Sequence, residues 1–527
     1  MSNRIYWIIG LFALEVLAIV LVFQVFSSVE CRLTDIETAC RVLRSALIRM
    51  MCLGVGLGVF IWFRPQLRRQ VVQSAAVRPR DELGLWSFVH LVGLVLIFLP
   101  WLSADANTLN GTFPTYFLSL ALGGVCAAVG GVFMVLSWRD VVRFGRAGGV
   151  ALAVVVLIAL VIPDFADVLA PLWWSLNGLL LATFYGVAVV LSALGNDVTL
   201  NPDASIIGTG DFFVGVADTC SGIEGFALTA GFFAIYSMLM RDTVKLGLFW
   251  GLIFPIALLI SWFFNVLRIA GLILIGEYVS PDLAVNGFHS FAGWLFFTLL
   301  ALGVLWVVQA MPSLHRASAA TPDKDLPPLT EDTTAAFIVP FIVFMVSGLF
   351  AQTFWQYPVL AYPVQMAAMV AILWVFRKPF LGLDWGFDPT AFAAGGLVGV
   401  GWLVTASTGA TQPGLSTLGA GALVAWGICR ILGTSLLVPM IEEAFFRGYL
   451  LRWLGGDHVI RTVFAVAGSS LAFAMLHGRL IEAGVAGVIF ALVALRRGRV
   501  TDAIIAHATA NGVIAIAAAM SGDWSLI

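Results

Sequence analysis

Three residues in the first half of the chain have the types that nucleophilic acyl chemistry requires: Cys220 in DTCSGIEGF, Arg268 in NVLRIAG and His289 in NGFHSFAGW. A thiol with an ordinary pKa of about 8.5 is little ionised at neutral pH. A neighbouring imidazole or guanidinium raises its thiolate fraction. The guanidinium can also hold a substrate carboxylate, or the oxyanion formed when a peptide carbonyl is attacked. That attack gives an acyl-thioester, which water resolves to a proteolytic product and an amine to a transpeptidation product. A lone cysteine in apolar sequence is usually a small filler. Its company argues otherwise, because an Arg within an apolar run is costly enough to need a reason. Asn265, three residues before Arg268, either joins this set or cross-links helices by hydrogen bonding. Glu224 could assist the thiol, although a carboxylate at a helix start has a simpler role in favouring the helix dipole.

A second set follows in IEEAFFRGYL, LAFAMLHGRL and IIAHATANG. Glu443 and Arg447 are four apart and face each other on one helical turn. His507 and Asn511 share that spacing, as do Phe473 and His477. Interhelical salt links would account for any one of these residues, but with Glu442 there are six polar groups at membrane depth, which favours a site. Glu plus two His is a possible zinc set, although HExxH is absent and the ligands would come from three helices. The alternative needs no metal. A buried carboxylate, made a stronger base by desolvation, deprotonates a water held against His477, while His507 and Asn511 steady the oxyanion. The metal-free version is favoured, and no cofactor is expected.

The elements that must position these groups lie in a chain that mostly avoids water. Of 527 residues, 61% are hydrophobic and 11% charged. Soluble domains carry about 25% charged residues, so a water-soluble enzyme, a coiled coil and a disordered chain are excluded. The net charge of -2 leaves no nucleic-acid footprint. A bilayer-crossing helix needs about 20 apolar residues. Suitable runs occur near 5–27, 45–63, 84–102, 113–137, 148–163, 172–195, 222–240, 246–275 and 291–311. Others follow near 335–356, 358–376, 391–409, 416–440, 461–476, 481–495 and 502–521. Between the two series, the proline-rich, mixed-charge stretch MPSLHRASAATPDKDLPPLTED at 312–333 reads as a solvated linker. The fold expected is an all-α polytopic membrane protein of two helical bundles, 1–315 and 334–527, joined by a linker at 316–333. No sequence repeat relates the halves. The first apolar run lacks a small-residue cleavage site and is expected to be a retained anchor.

Lys and Arg near helix ends mark the cytosolic side. Arg64, Arg68, Arg69, Arg78 and Arg80 crowd one loop, Arg139, Arg143 and Arg146 a second, and Arg241 with Lys245 a third. Segments 103–112, 196–219 and 277–290 have neither residue type and are expected outside. The exception is 28–44, where Arg32, Arg41 and Arg44 sit on the outer side; Cys31 and Cys40 could pair there if that side is oxidising. Cys220, Arg268 and His289 then all fall at the outer face, with Arg268 in the last turns of its helix and His289 at the start of the next. Parity requires that 148–163 and 172–195 do not both cross. Trp173, Trp174 and Asn177 favour the interface, so 172–195 is expected to lie along the outer surface or to re-enter. Residues 196–219 alternate and turn like short strands, which predicts a small extracytoplasmic β element. The RRGR run at 496–499 should be cytosolic and puts His507 toward the inner leaflet. His90 reads as a satisfied bundle histidine, and His315 and His458 as solvated.

DTCSGIEG, FNVLRIAG and HSFAG, in this order, resemble the exosortase family, and VIPDFADVLAPLWW is similar to its interfacial Pro-containing segment. The resemblance covers about 1–315. It implies a multi-pass protease or transpeptidase of the Gram-negative inner membrane, with Cys220 as nucleophile, Arg268 as the essential basic group and His289 as the third member. Its implied partners are membrane-anchored proteins with a C-terminal motif, a membrane helix and a basic tail. EExxxR, FxxxH and HxxxN resemble the CAAX-endopeptidase and bacteriocin-processing family over roughly 335–527. That match implies Glu442 as the activating carboxylate, His477, His507 and Asn511 around the water, and Glu443 with Arg447 in support. The fused arrangement resembles the exosortase E/protease type, which implies VPEID-type substrate signals. The alternatives are a transporter or channel, or an exosortase whose C-terminal half is an inactive scaffold. Transporters often show repeats and broken helices at the midplane; here the polar groups form two unrelated sets near helix ends.

Overall fold

The computed structural model describes residues 4–20, 22–23, 31–77, 80–103, 109–161, 177–202, 204–216, 222–316, 328–406, 412, 414–456 and 459–527. Among them, ten helices are long and apolar enough to cross a membrane, and four shorter apolar helices accompany them. A helix satisfies its own backbone polar groups, the condition for a chain surrounded by lipid. The protein is an all-α polytopic membrane protein with one small sheet. It divides into two compact units, Met1–Ser175 and Leu176–Ile527.

The first unit contains α1 (Arg4–Val20), α2 (Glu37–Trp62), α3 (Pro65–Val77), α4 (Arg80–Ser103), α5 (Leu109–Val135) and α6 (Trp138–Val161). Glycines bring α4 and α5 into close contact: a Cβ on Gly93 would lie 2.3 Å from the Ala127 nitrogen, and one on Gly130 2.6 Å from that of His90. His90 is satisfied on both ring nitrogens. Nδ1 donates to the Ala127 carbonyl at 2.7 Å, and Nε2 pairs with the Glu15 carboxyl at 2.9 Å. A disulfide joins Cys31 to Cys40 and packs beside Phe113 at the start of α5. A disulfide belongs to an oxidising compartment, in keeping with an outer position for 28–44 despite its arginines.

The second unit opens with α7 (Asn177–Ala193) and an antiparallel sheet in the order β1 (Val198–Asn201), β2 (Ile206–Thr209), β3 (Phe212–Gly215). The expected β element is therefore present. It sits over the end of a long helix, α9 (Leu246–Tyr278), which α8 (Ile223–Leu239) precedes. The Glu277 carboxylate of α9 accepts from the N–H groups of Asp211 and Phe212, fixing the β2–β3 turn. Gly210 takes φ 56 there, a conformation that favours glycine. α7 runs parallel to the second half of α9: Trp262 Nε1 donates to Thr183 Oγ1 and the Tyr278 hydroxyl to Asn196. This packing sets α7 beside α9, which fits the re-entrant form of the expectation for 172–195 better than a helix flat along the surface; Trp173 and Trp174 lie outside the described residues.

Helices α10 (Leu283–Ala310) and α11 (Thr333–Phe354) flank the expected linker yet pack together, with the Phe288 and Phe354 rings 5.7 Å apart. By compactness the chain separates at 175/176. His315 corrects an expectation: its Nε2 donates to the Val308 carbonyl at 2.9 Å, so it is not merely solvated. His458 is outside the described residues. The remaining helices are α12 (Pro358–Val375), α13 (Pro389–Val404), α14 (Ala420–Leu454), α15 (Val459–Ala474), α16 (Leu480–Arg497) and α17 (Val500–Ser521). α14 is a single 35-residue rod that extends well beyond the apolar run at 416–440. IEEAFFRGYL therefore lies inside a helix. Gly395 and Gly399 let α13 press against α17, where a Cβ would fall 2.1 Å from the Ala506 carbonyl and 2.8 Å from that of Ala510.

Candidate functional site

Arg268 stands ten residues before the end of α9, about 15 Å along the axis. It thus lies within the last three turns of α9, which the LILIGEY stretch carries on to Tyr278. His289 opens the α-helical part of α10, after a π-helical segment, Leu283–Phe288. One guanidinium nitrogen of Arg268 donates to the His289 carbonyl at 2.9 Å, tying α9 to α10. The side chain also lies against Gly293, one turn further on. His289 is within the electrostatic reach of both Arg268 and Glu224.

Cys220 lies outside the described residues. Gly222, two positions later, has φ 101, and a Cβ there would fall 3.3 Å from the Asn265 amide nitrogen. Asn265 and Arg268 are three apart on α9, Asn265 lying against Gly222 at the start of α8 and Arg268 against α10. The structure thus brings Asn265, Arg268 and His289 into one region.

The second set is more tightly bonded. Glu443 and Arg447 are fully enclosed and paired at 3.1 Å. The second oxygen contact of this pair, Arg447 Nη1 to Glu443 Oε1, is also 3.1 Å, and Nη2 donates to the Gly487 carbonyl at 2.8 Å. Three rings surround the guanidinium, with Phe473 at 4.6 Å, Phe446 at 5.7 Å and Phe490 at 5.8 Å. His507 Nδ1 donates to Glu443 Oε1 at 2.9 Å, leaving Nε2 as the ring's other polar atom. Phe490 stacks on His507 at 4.9 Å with 19° between planes.

Glu442 occupies the preceding position of the same helix and is buried, and among the described residues its Oε2 has no hydrogen-bond partner. The imidazoles of His507 and His477 are among the side chains near enough to act on it electrostatically. His477 Nδ1 donates to the Phe473 carbonyl at 2.8 Å, which holds its Nε2 away from the backbone. Asn511 Nδ2 donates to the Thr434 carbonyl at 2.8 Å. Two π-helical segments, Gly433–Leu437 and Ala444–Leu450, flank the short α-helical stretch that carries the two glutamates. Such segments shift the hydrogen-bond ladder and are frequent at functional sites.

Sequence reasoning did not find Phe490, Phe446, Gly487, Thr434 or Trp402, whose ring meets that of His477 edge-on at 6.4 Å. Aromatic and small residues in an apolar helix have no local signal that separates a ring against an imidazole from one against lipid. Among the described residues, no three His, Cys, Asp or Glu side chains converge closely enough to hold a metal ion.

Residues 44–306 match the family model described as transmembrane exosortase, and residues 424–513 match that of the type II CAAX prenyl endopeptidase, Rce1-like. Cys220, Asn265, Arg268 and His289 fall in the first range, and Glu442 through Asn511 in the second. No curated protein and no solved structure matches the chain. The two family matches indicate peptidase activity in a multi-pass membrane protein.

Proposed function

We propose, because residues 44–306 match the transmembrane exosortase model and residues 424–513 that of a CAAX prenyl endopeptidase, that the protein is a two-site processing enzyme of the bacterial inner membrane. The outer site cuts the C-terminal sorting signal of exported, membrane-anchored proteins. The Cys220 thiolate attacks the scissile carbonyl, the C–N bond breaks, and the amine departs with a proton supplied by His289. Water or an acceptor amine then releases the acyl group from sulfur. Arg268 holds the His289 segment through its carbonyl and retains further N–H groups for substrate oxygen. The substrate signal is read as a VPEID-type motif, a membrane helix and a basic tail, on the strength of the sequence resemblance alone.

The second site uses Glu442 to take a proton from water that attacks a peptide carbonyl. Glu443 fixes His507, Arg447 fixes Glu443, and Asn511 keeps one amide N–H beyond that given to Thr434, which is free to face an oxyanion. The observation that supports the reading is the enclosed Glu443–Arg447–His507 cluster beside a buried carboxylate, Glu442, with an oxygen that makes neither a hydrogen bond nor an ion pair among the described residues.

The test is co-expression with a tagged substrate followed by mass spectrometry of its new C-terminus. Cys220→Ala should leave the signal uncut at the outer site, and Glu442→Gln should abolish cleavage at the second while leaving the first intact. Normal processing in the cysteine variant would remove the thiol assignment. A Glu442→Gln protein as active as its parent would make the C-terminal half a scaffold. Hydrolysis and amine transfer are told apart by the product mass.

A further inference from the structure

The two edges of the small sheet have different surroundings. At one, β1 joins the core of α7 through Val198, which packs with Phe184, Val187 and Leu191. At the other, β3 is Phe212–Gly215, with neither the Lys nor the Pro that commonly blunts an edge. The Val216 N–H donates to the Ser205 carbonyl at 2.8 Å, so these two residues are a hydrogen-bonded pair of the ladder. Such pairs alternate in an antiparallel sheet. Phe212 and Val214 therefore face β2, and the N–H and C=O groups of Phe213 and Gly215 point away from it. Among the described residues, nothing bonds to those four outward groups. Phe213 and Gly215 are both exposed, and a Cβ on Gly215 would meet nothing within 4 Å. The Phe213 ring lies over Gly208 of β2, to the inner side of the edge.

The course of β3 joins this edge to the outer site. It starts at the end of α9, where the Phe212 N–H donates to Glu277 and the Phe212 ring lies against Gly276. It ends in Val216, buried in one core with Val266 and Ile269, the chain neighbours of Asn265 and Arg268. Phe212 and Val214 also pack on Phe288 and Ala292, which bracket His289 in α10. A chain laid along β3 is thus led along α9 toward Asn265, Arg268 and His289. An open edge holds an extended peptide through main-chain hydrogen bonds, and alternate side chains supply selectivity. A membrane helix cannot pair in this way, because its own N–H groups are already bonded.

We propose that the open edge of β3 pairs with the extended segment of the substrate just outside its membrane helix and delivers it to the outer site. The inference rests on the outer-site reading given above. Phe213 and Gly215 supply the bonding groups, so every second substrate residue is held by its main chain.

The co-expression assay with a tagged substrate tests it. Gly215→Pro removes one outward N–H and leaves the bonds to β2 in place, and edge strands tolerate Pro. It should slow processing about three- to tenfold, as the loss of one hydrogen bond implies. Leu200→Pro removes an outward N–H from the β1 edge and should leave the rate unchanged. With Cys220→Ala inactive, normal processing by Gly215→Pro overturns the edge alone. Normal processing by Cys220→Ala removes the outer-site reading, and the edge with it. A dimer that Gly215→Pro loses while processing is kept would assign the edge to a second copy and also overturns the proposal. A second measurement leaves the protein unaltered: synthetic peptides of the substrate segment, each N-methylated at one backbone nitrogen, compete with the tagged substrate for full-length protein in mild detergent. Inhibition should weaken about three- to tenfold at alternate nitrogens and persist at those between. Uniform weakening, or no inhibition by the unmodified peptide, overturns the proposal. That series decides if Gly215→Pro fails to fold or Leu200→Pro slows processing equally.

Discussion

Glu442 and Glu443 are chain neighbours with opposite surroundings, and the difference can be measured. Glu443 is ion-paired with Arg447 and bonded to His507, whereas one buried Glu442 oxygen makes neither a hydrogen bond nor an ion pair among the described residues. Removing one member of a buried ion pair typically costs about 3–5 kcal/mol, because the other charge is left uncompensated. Glu443→Gln should therefore lower both the thermal unfolding temperature and cleavage at the second site. Glu442→Gln removes no such pair, so it should lose cleavage with its unfolding temperature unchanged or raised. Thermal unfolding followed by fluorescence, beside a cleavage assay, separates the two roles; equal destabilisation by both substitutions would assign Glu442 a structural one.

At the scale of elements, the second site depends on how closely α17 meets α13 and α14. Asn511 reaches the Thr434 carbonyl in the first π-helical segment of α14, and α13 presses on α17 through Gly395, beside Ala506 and one residue from His507. A methyl on Gly395 would meet a backbone carbonyl at 2.1 Å, and backbone cannot move aside as a side chain can. Gly395→Ala is expected to destabilise by about 1–3 kcal/mol, the usual range for overpacking, and to lower cleavage at the second site by displacing His507. Gly396→Ala, where a Cβ meets nothing within 4 Å, should be neutral in both. Thermal unfolding of the two variants checks this.

For the whole molecule, orientation rests on the basic run at 496–499, and its arginines are largely neutralised in place. Arg496 pairs with Asp388, Arg497 lies 3.9 Å from the same carboxylate, and Arg499 pairs with Asp502 and Asp384. Orientation follows the number of Lys and Arg, not the net charge, so residue 497 is expected on the cytosolic side. Arg497→Cys, in a chain lacking other free cysteines, should react with an impermeant thiol reagent only after the membrane is opened. Labelling of intact cells would invert the bundle.

The same contact sets acid sensitivity. Burial pushes the Asp388 carboxyl up, but hydrogen bonds from Arg496 and Thr390 outweigh it and hold the carboxyl below its ordinary value. A carboxyl lowered by folding contributes stability that is present above its unfolded pKa and lost as pH falls through the folded value. Unfolding measured from neutral pH down through the carboxylate range should show this loss, and Asp388→Asn should flatten it.

The sequence by itself determined the solvent, the helical class and the small β element, and it singled out two sets of candidate chemical groups. These follow from local properties: apolar run length, strand-like alternation, and polar residues that stand out against hydrocarbon. The run at 416–440 understated α14, since polar residues of a buried site lower local hydropathy without ending a helix. Tertiary structure decided which carboxylate holds His507, that Arg268 bonds to the His289 carbonyl, and that α10 and α11 pack across the expected linker. Those outcomes depend on side chains far apart in the chain, and Phe490 illustrates the reason. A phenylalanine in an apolar helix reads the same whether it faces lipid or stacks on an imidazole, and only the packing of α16 against α17 places it on His507.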